Sequence, residues 1–264
     1  MRAWYINLAR RTDRRAAMEA QLARLGLVGE RIEAILAADL PQTLKQRYLP
    51  GGRHERLSVQ EFCCGVSHLD ACRALLVSGE PFGLILEDDI VLSPRLPDFL
   101  QQFEANPQGI DLLRLETFAA PAQISTQAQG GIGGFAFHTM HGWAWGAAAY
   151  IISARAAKRM VDNPQALEEV IDRVIYRPHR SILGRVKRRQ LVPALAIQED
   201  RTPGHEWGAG SDMAPVRAAM RAAPSQPFAK RLASFIDNEL LVALPSSLHR
   251  RLGRSHKVDI PYLD

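Results

Sequence analysis

Glu87, Asp88 and Asp89 are three consecutive acids directly behind the apolar run Phe82-Gly83-Leu84-Ile85-Leu86. Along an extended chain Glu87 and Asp89 point to one side, about 6–7 Å apart. A divalent cation between them would bridge both carboxylates and could in turn hold a diphosphate. Hard oxygen ligands suit Mg²⁺ or Mn²⁺. The alternative for a bare acid triplet is a solvated turn closing a strand. The apolar strand in front, and Ser93-Pro94 behind, favour a ligand site, because ligands of open α/β sheets bind at the carboxyl ends of the strands.

Other residues able to do chemistry flank this cluster in sequence. Asn7 ends the N-terminal apolar stretch and is followed by Arg10, Arg11 and Arg14. A loop between a strand and a helix offers N–H groups and guanidinium forks to an anion. Each Arg alone also reads as a solvated helix-face residue. Asn7 needs hydrogen-bond partners wherever its strand is buried. Ser67 and His68 fall at the expected start of a helix, where Ser67 would cap it. Trp143 and Trp145 flank a glycine turn and could face a sugar ring or sit in the core. Cys63, Cys64 and Cys72 read as small buried apolar residues. With no CxxC pair and no late His pair, a zinc site is not expected.

The elements that must position these groups alternate. Strands are predicted at 3–8, 31–35, 82–86, 111–115, 135–138, 147–152 and 191–197. Pro193 makes the last an edge or irregular strand. Helices are predicted at 12–25, 67–78, 96–104 and 153–163. Segments 39–57 and 119–134 read as loops. Alternation of this kind predicts an α/β fold with a mostly parallel central sheet flanked by helices.

The chain has 264 residues, 47% hydrophobic and 23% charged, which describes a globular protein and excludes a disordered one. No signal h-region or membrane-spanning run is visible, so a cytoplasmic location is expected. The formal net charge is +5, and 28 of the 33 basic residues are Arg. Basic residues concentrate at 177–189 and in the tail. Residues 228–240 give that tail an amphipathic face, which either docks on an anionic membrane or packs on the core.

Together these segments resemble glycosyltransferase family 25, which includes lipooligosaccharide and collagen galactosyltransferases. Tyr5-Ile6-Asn7-Leu8 with Arg10-Arg11-Thr12-Asp13-Arg14 is similar to the family's N-terminal signature. Cys64-Gly65-Val66-Ser67-His68 matches its Gly-Cys-x-x-Ser-His element, with Cys63 in place of the Gly. Leu84-Ile85-Leu86-Glu87-Asp88-Asp89 matches its acidic motif. Gly146, Tyr150-Ile151-Ile152-Ser153, Ile171-Asp172, Pro193 and Gln198 fit later blocks, so the likeness covers residues 3–212. Ala34–Asp39 departs from the family by lacking an Ala-x-x-Gly, which bears on the loop facing the acceptor.

The resemblance implies a GT-A-like, Rossmann-type domain over 1–212, with a helical basic extension over 213–264 packing on the same body. It implies a UDP-sugar donor, Mn²⁺ or Mg²⁺, inversion at the anomeric carbon, and a glycan or glycolipid acceptor of lipopolysaccharide type. Galactose from UDP-galactose is the expected donor. Glu87 and Asp89 would hold the metal, with His205 as a third ligand. Asn7, Arg10, Arg11, Arg14, Ser67, His68 and Asp88 would line the donor pocket. Asp172 is the first candidate for the general base and Glu116 the second. Nucleic acid is not an expected partner. A metal-dependent phosphoesterase or nuclease, and a non-catalytic sugar-nucleotide-binding relative, are the alternatives.

Overall fold

In the computed structural model, residues 1–48, 57–118, 120–142, 144–177, 183–202, 235–236 and 242–264 are described. β1 (Ala3–Asn7) is buried along its whole length. It alternates across the sheet, with Ala3 and Tyr5 in one core and Trp4 and Ile6 in the other. A strand covered on both faces must be apolar on both. Burying a side chain of the size of Ile6 stabilises by about 1.5–3 kcal/mol.

The chain continues through α1 (Thr12–Arg24), β2 (Gly29–Glu33), α2 (Gln42–Tyr48), α3 (Val59–Ser78), β3 (Phe82–Glu87), β4 (Ile90–Leu92) and α4 (Leu96–Ala105). Short strands follow: β5 (Leu112–Arg114), β6 (Glu116–Thr117), β7 (Ala122–Ser125), β8 (Gly131–Ile132) and β9 (Phe135–His138). Then come β10 (Ala149–Ser153), α5 (Ala154–Asp162), α6 (Ile171–Tyr176), β11 (Arg188–Val192), β12 (Ala196–Gln198), α7 (Leu244–Arg251) and β13 (Ser255–Val258).

The central sheet has the order β2-β1-β3-β10-β5-β11-β9-β8. β10 and β9 run against the other six strands, so the sheet is mostly parallel. Met18 and Leu22 of α1, with Phe99 and Phe103 of α4, cover one face. Leu69 and Leu75 of α3, Met160 of α5 and Ile175 of α6 cover the other. A smaller sheet, β4-β12-β6, extends the body beyond the acids.

Several local expectations change. α3 begins at Val59, eight residues before the predicted start. Ser58 caps it, accepting from Glu61 N, while Glu61 returns a bond to Ser58 N. This reciprocal box satisfies two orphan donors. Ser67 and His68 therefore lie inside the helix and not at its N-terminus. The expected loop 39–57 holds α2, and the expected loop 119–134 holds β7 and β8. Pro193 lies between two strands: β11 is an interior strand between β5 and β9, and β12 lies between β4 and β6. The C-terminal extension is not wholly helical. β13 pairs with β7 in antiparallel register, and Tyr262 bridges to Ala194. Ile260 packs on Ile124 and Ala194, which fastens the chain end to the body.

Candidate functional site

β1 and β3 are parallel neighbours, with Ile6 opposite Glu87. That register sets Asn7 beside Asp88 at the carboxyl ends of both strands. Asn7 Nδ2 donates to Asp88 Oδ2 at 2.6 Å and to Arg11 O at 3.0 Å. Asn7 Oδ1 accepts from Arg31 Nε at 3.0 Å. A 1% exposed amide is thus fully engaged, as a buried polar group must be.

The strand ends at Glu87, and the turn at Asp88 and Asp89 divides the acids. Glu87 and Asp89 line a cleft of about 270 Å³, and Asp88 turns toward Asn7. Arg14 Nη1 lies 3.2 Å from Asp88 Oδ1 and 3.5 Å from Asp89 Oδ2. Asp89 Oδ1 is buried without a hydrogen-bond partner. Burial, with Glu87, Asp88 and Asp200 nearby, pushes the Asp89 carboxyl up to about 7 despite Arg14. Burial also raises Asp88, against Asn7 and Arg14. One guanidinium between two carboxylates leaves the cluster short of positive charge. Glu87 and Asp89 are the members of this oxygen donor set that could hold a hard divalent cation.

The same cleft carries Arg10 and Arg14 on one side and Ala34, Ile35, Leu36 and Ala37 on another. Acids and guanidinium groups facing an apolar wall suit a ligand with one charged and one flat, weakly polar part. Arg11 pairs with Asp13 at 2.9 Å and does not line the cleft. Ser67 does line it. Its Oγ donates to Cys63 O at 2.8 Å and accepts from Ile35 N at 3.1 Å, fastening the apolar wall to α3. The departure at Ala34–Asp39 therefore falls on the wall of the acid cleft.

His68 is fully buried at its side chain. Its Nδ1 pairs with the Tyr150 hydroxyl at 2.9 Å and its Nε2 with Glu87 Oε1 at 3.3 Å. Cys64 also lines the cleft, one helical turn before His68. The sequence reads it as a small buried apolar residue. The signal that could have found it is the four-residue spacing from His68 on one helix face.

Glu116 is 0% exposed. Its Oε1 accepts from Ala148 N at 2.9 Å and lies 3.7 Å from Arg114 Nε. Its Oε2 is buried without a partner. Burial, opposed by Arg114, pushes its carboxyl up to about 8. Asp172 stands in the first turn of α6, partly exposed, with Oδ1 accepting from Arg173 N at 2.7 Å. It does not line the cleft, yet its charge contributes to raising the Cys64 thiol. Trp145 is half exposed, and its carbonyl accepts from Arg114 Nη2. His205 and Trp143 lie outside the described residues.

The basic stretch is partly packed. Arg177 is buried and pairs with Glu169 at 3.2 Å. Arg188 Nε donates to Ile175 O at 2.8 Å, and burial lowers its guanidinium to about 10. No helix among the described residues is long and apolar enough to cross a membrane.

The fold is a mixed α/β one with a mostly parallel central sheet, and acids and arginines gather at the strand ends in one cleft. Its family follows from comparison. The model of glycosyltransferase family 25 (LPS biosynthesis protein) matches residues 1–175, and the chain belongs to that family. It is 29% identical over 168 residues to the lacto-N-neotetraose biosynthesis glycosyltransferase LgtB of Neisseria meningitidis serogroup B, a match spanning 61% of this chain and 61% of that relative. The Neisseria gonorrhoeae LgtB is 28% identical over 164 residues, spanning 60% and 59%. These alignments cover less than two thirds of the relatives' length. Among solved structures, a glycosyltransferase involved in glycosylation of the major capsid of PBCV-1 aligns at 10% identity and TM-score 0.40, covering 84% of this chain and 98% of that one.

Proposed function

We propose that this chain is a metal-dependent inverting glycosyltransferase of GT-A type. It would transfer galactose from UDP-galactose to a hydroxyl of a lipopolysaccharide-type glycan. The observation that carries this reading is the pair Glu87 and Asp89 in one cleft with Arg10 and Arg14, Asp89 Oδ1 being buried without a partner.

In this reading Glu87 and Asp89 hold Mn²⁺ or Mg²⁺, and His205 remains the candidate third ligand. When bound, the cation neutralises charge on the departing diphosphate. Arg10 and Arg14 take phosphate oxygens through their guanidinium forks. The wall at Ile35–Ala37 receives the uracil, with Asn7, Arg11 and Asp88 shaping the loop beneath. Ser67 and His68 fix that wall and the Glu87 carboxylate. The acceptor hydroxyl attacks the anomeric carbon on the face opposite the diphosphate, and a carboxylate takes its proton. Asp172 remains the first candidate base, since it is partly exposed whereas Glu116 is fully buried. Glu116 is buried and stays protonated up to about pH 8.

A peripheral position on an anionic membrane is part of the same reading. Leu244, Leu248 and Leu252 form an exposed stripe along α7 and its end, beside Arg250, Arg251 and Arg254. Apolar residues flanked by cations suit an anionic lipid surface.

A thermal-shift screen with UDP-galactose, UDP-glucose and their N-acetyl analogues, each with and without Mn²⁺, tests the donor assignment. UDP-galactose with Mn²⁺ should stabilise the chain most. Stabilisation by no nucleotide would overturn the transferase reading.

A further inference from the structure

We infer that Cys64, His68 and Glu87 form a site for a soft divalent cation of the zinc class inside the acid cleft. The spacing of the cysteines gives no hint of it, because the third ligand comes from another element. Cys64 and His68 stand four residues apart on α3, so they share a face. β3 brings Glu87 against them. One ligand atom from each of the three lies within 4.8 Å of the others.

The chemistry of the donors separates this site from the oxygen-only pair. Thiolate, imidazole and carboxylate are zinc ligands, and thiolate is a poor partner for Mg²⁺ or Mn²⁺. Three protein ligands with a fourth position open to a cleft match an accessible zinc site. The second ring nitrogen of His68 already has its outer partner. When Nδ1–H donates to the Tyr150 oxygen, Nε2 is left with its lone pair toward Glu87 and Cys64. That partner also fixes the ring, which stacks on Tyr150 with centroids 5.8 Å apart. The surroundings favour a cation. Glu87 and Asp89 both line the cleft beside Cys64. Their negative field attracts a dication.

Glu87 belongs to both sites. A soft ion that takes Glu87 leaves Asp89 without its partner for the hard ion. Zinc therefore opposes the Mn²⁺-supported reaction, a consequence that rests on the proposed function. The binding itself does not.

The test is a Co²⁺ titration of the full chain, read by the near-ultraviolet thiolate-to-cobalt charge-transfer band. The expected result is one equivalent of band in the wild type and in Cys63→Ser and Asp89→Asn, displaced by zinc and absent in Cys64→Ser. No band in the wild type, or a band retained in Cys64→Ser, overturns the site. Should Cys64→Ser not fold, the wild-type chain supplies the answer. One equivalent of zinc should slow alkylation of Cys64 by about tenfold or more, since a coordinated thiolate is withdrawn from reagent. Unchanged alkylation contradicts the site. Where turnover is measurable, zinc should inhibit the wild type and not Cys64→Ser, each relative to its own Mn²⁺-only rate. Turnover absent under all conditions, with the cobalt band present, would remove the transferase reading and leave the metal site standing.

Discussion

Asn7 and Asp88, 81 positions apart in sequence, meet at 2.6 Å where β1 and β3 end side by side. The same amide reaches Arg11 O and accepts from Arg31. One side chain thus joins the first strand, the Arg loop, β2 and the acidic turn. Asn7→Ala removes all three bonds and leaves Asp88 Oδ2 without its amide donor, Arg14 still facing Oδ1. The expected cost is about 1–3 kcal/mol in urea unfolding, the usual penalty for an orphaned buried group. Stability equal to wild type would show that Asp88 is held by Arg14 alone.

The acidic site is readable in sequence because its signal is local. An apolar strand covered on both faces ends in acids, although the strand stops at Glu87 and a turn carries Asp88 and Asp89. The start of α3 is not readable in this way. Ten of its residues are buried, including Cys63, Val66, Ser67 and His68, so no single apolar stripe marks it. Ser58 and Glu61 mark the start, but they adjoin a polar, Gly- and Pro-bearing stretch that reads as loop. β7 is invisible for another reason. Its partner β13 lies more than 100 residues later, and a four-residue strand without a local mate has no periodicity to detect. The Cys64–His68–Glu87 cluster needs both α3 and β3 in place before it exists.

Glu116 gives the metal-free chain a pH dependence. Its carboxyl is raised to about 8 in the fold, above its ordinary value of 4.5. Between those values the native state binds more protons than the unfolded state, so stability falls as pH rises. Glu116→Gln should flatten that fall between about pH 5 and pH 9 in melting experiments, since the amide does not titrate. An unchanged slope would remove Glu116 as its source.

Gly146 stands at φ +83, and a Cβ there would lie 2.9 Å from Glu116 Oε2 and 3.1 Å from Phe118. Gly146→Ala must strain the backbone and push on a buried carboxyl. A loss of about 1–3 kcal/mol is expected. A neutral result in chemical denaturation would mean that Glu116 and Phe118 can move aside.

The stripe on α7 makes a separate prediction. Each Arg near an anionic surface contributes about 1 kcal/mol. Replacing Arg250 and Arg251 by Ala should weaken binding to phosphatidylglycerol vesicles by about tenfold or more. Leu248→Glu should weaken it further at equal charge on the remaining residues. No binding of the wild type to such vesicles would exclude this surface as a membrane contact.

The most direct measurement is UDP release from UDP-galactose with Mn²⁺ and a lipooligosaccharide acceptor, comparing wild type with Asp89→Ala. The wild type should turn over only with the cation. Asp89→Ala should lose activity by about a hundredfold or more with its melting transition retained. Equal turnover by the two proteins would contradict a cation held by Glu87 and Asp89.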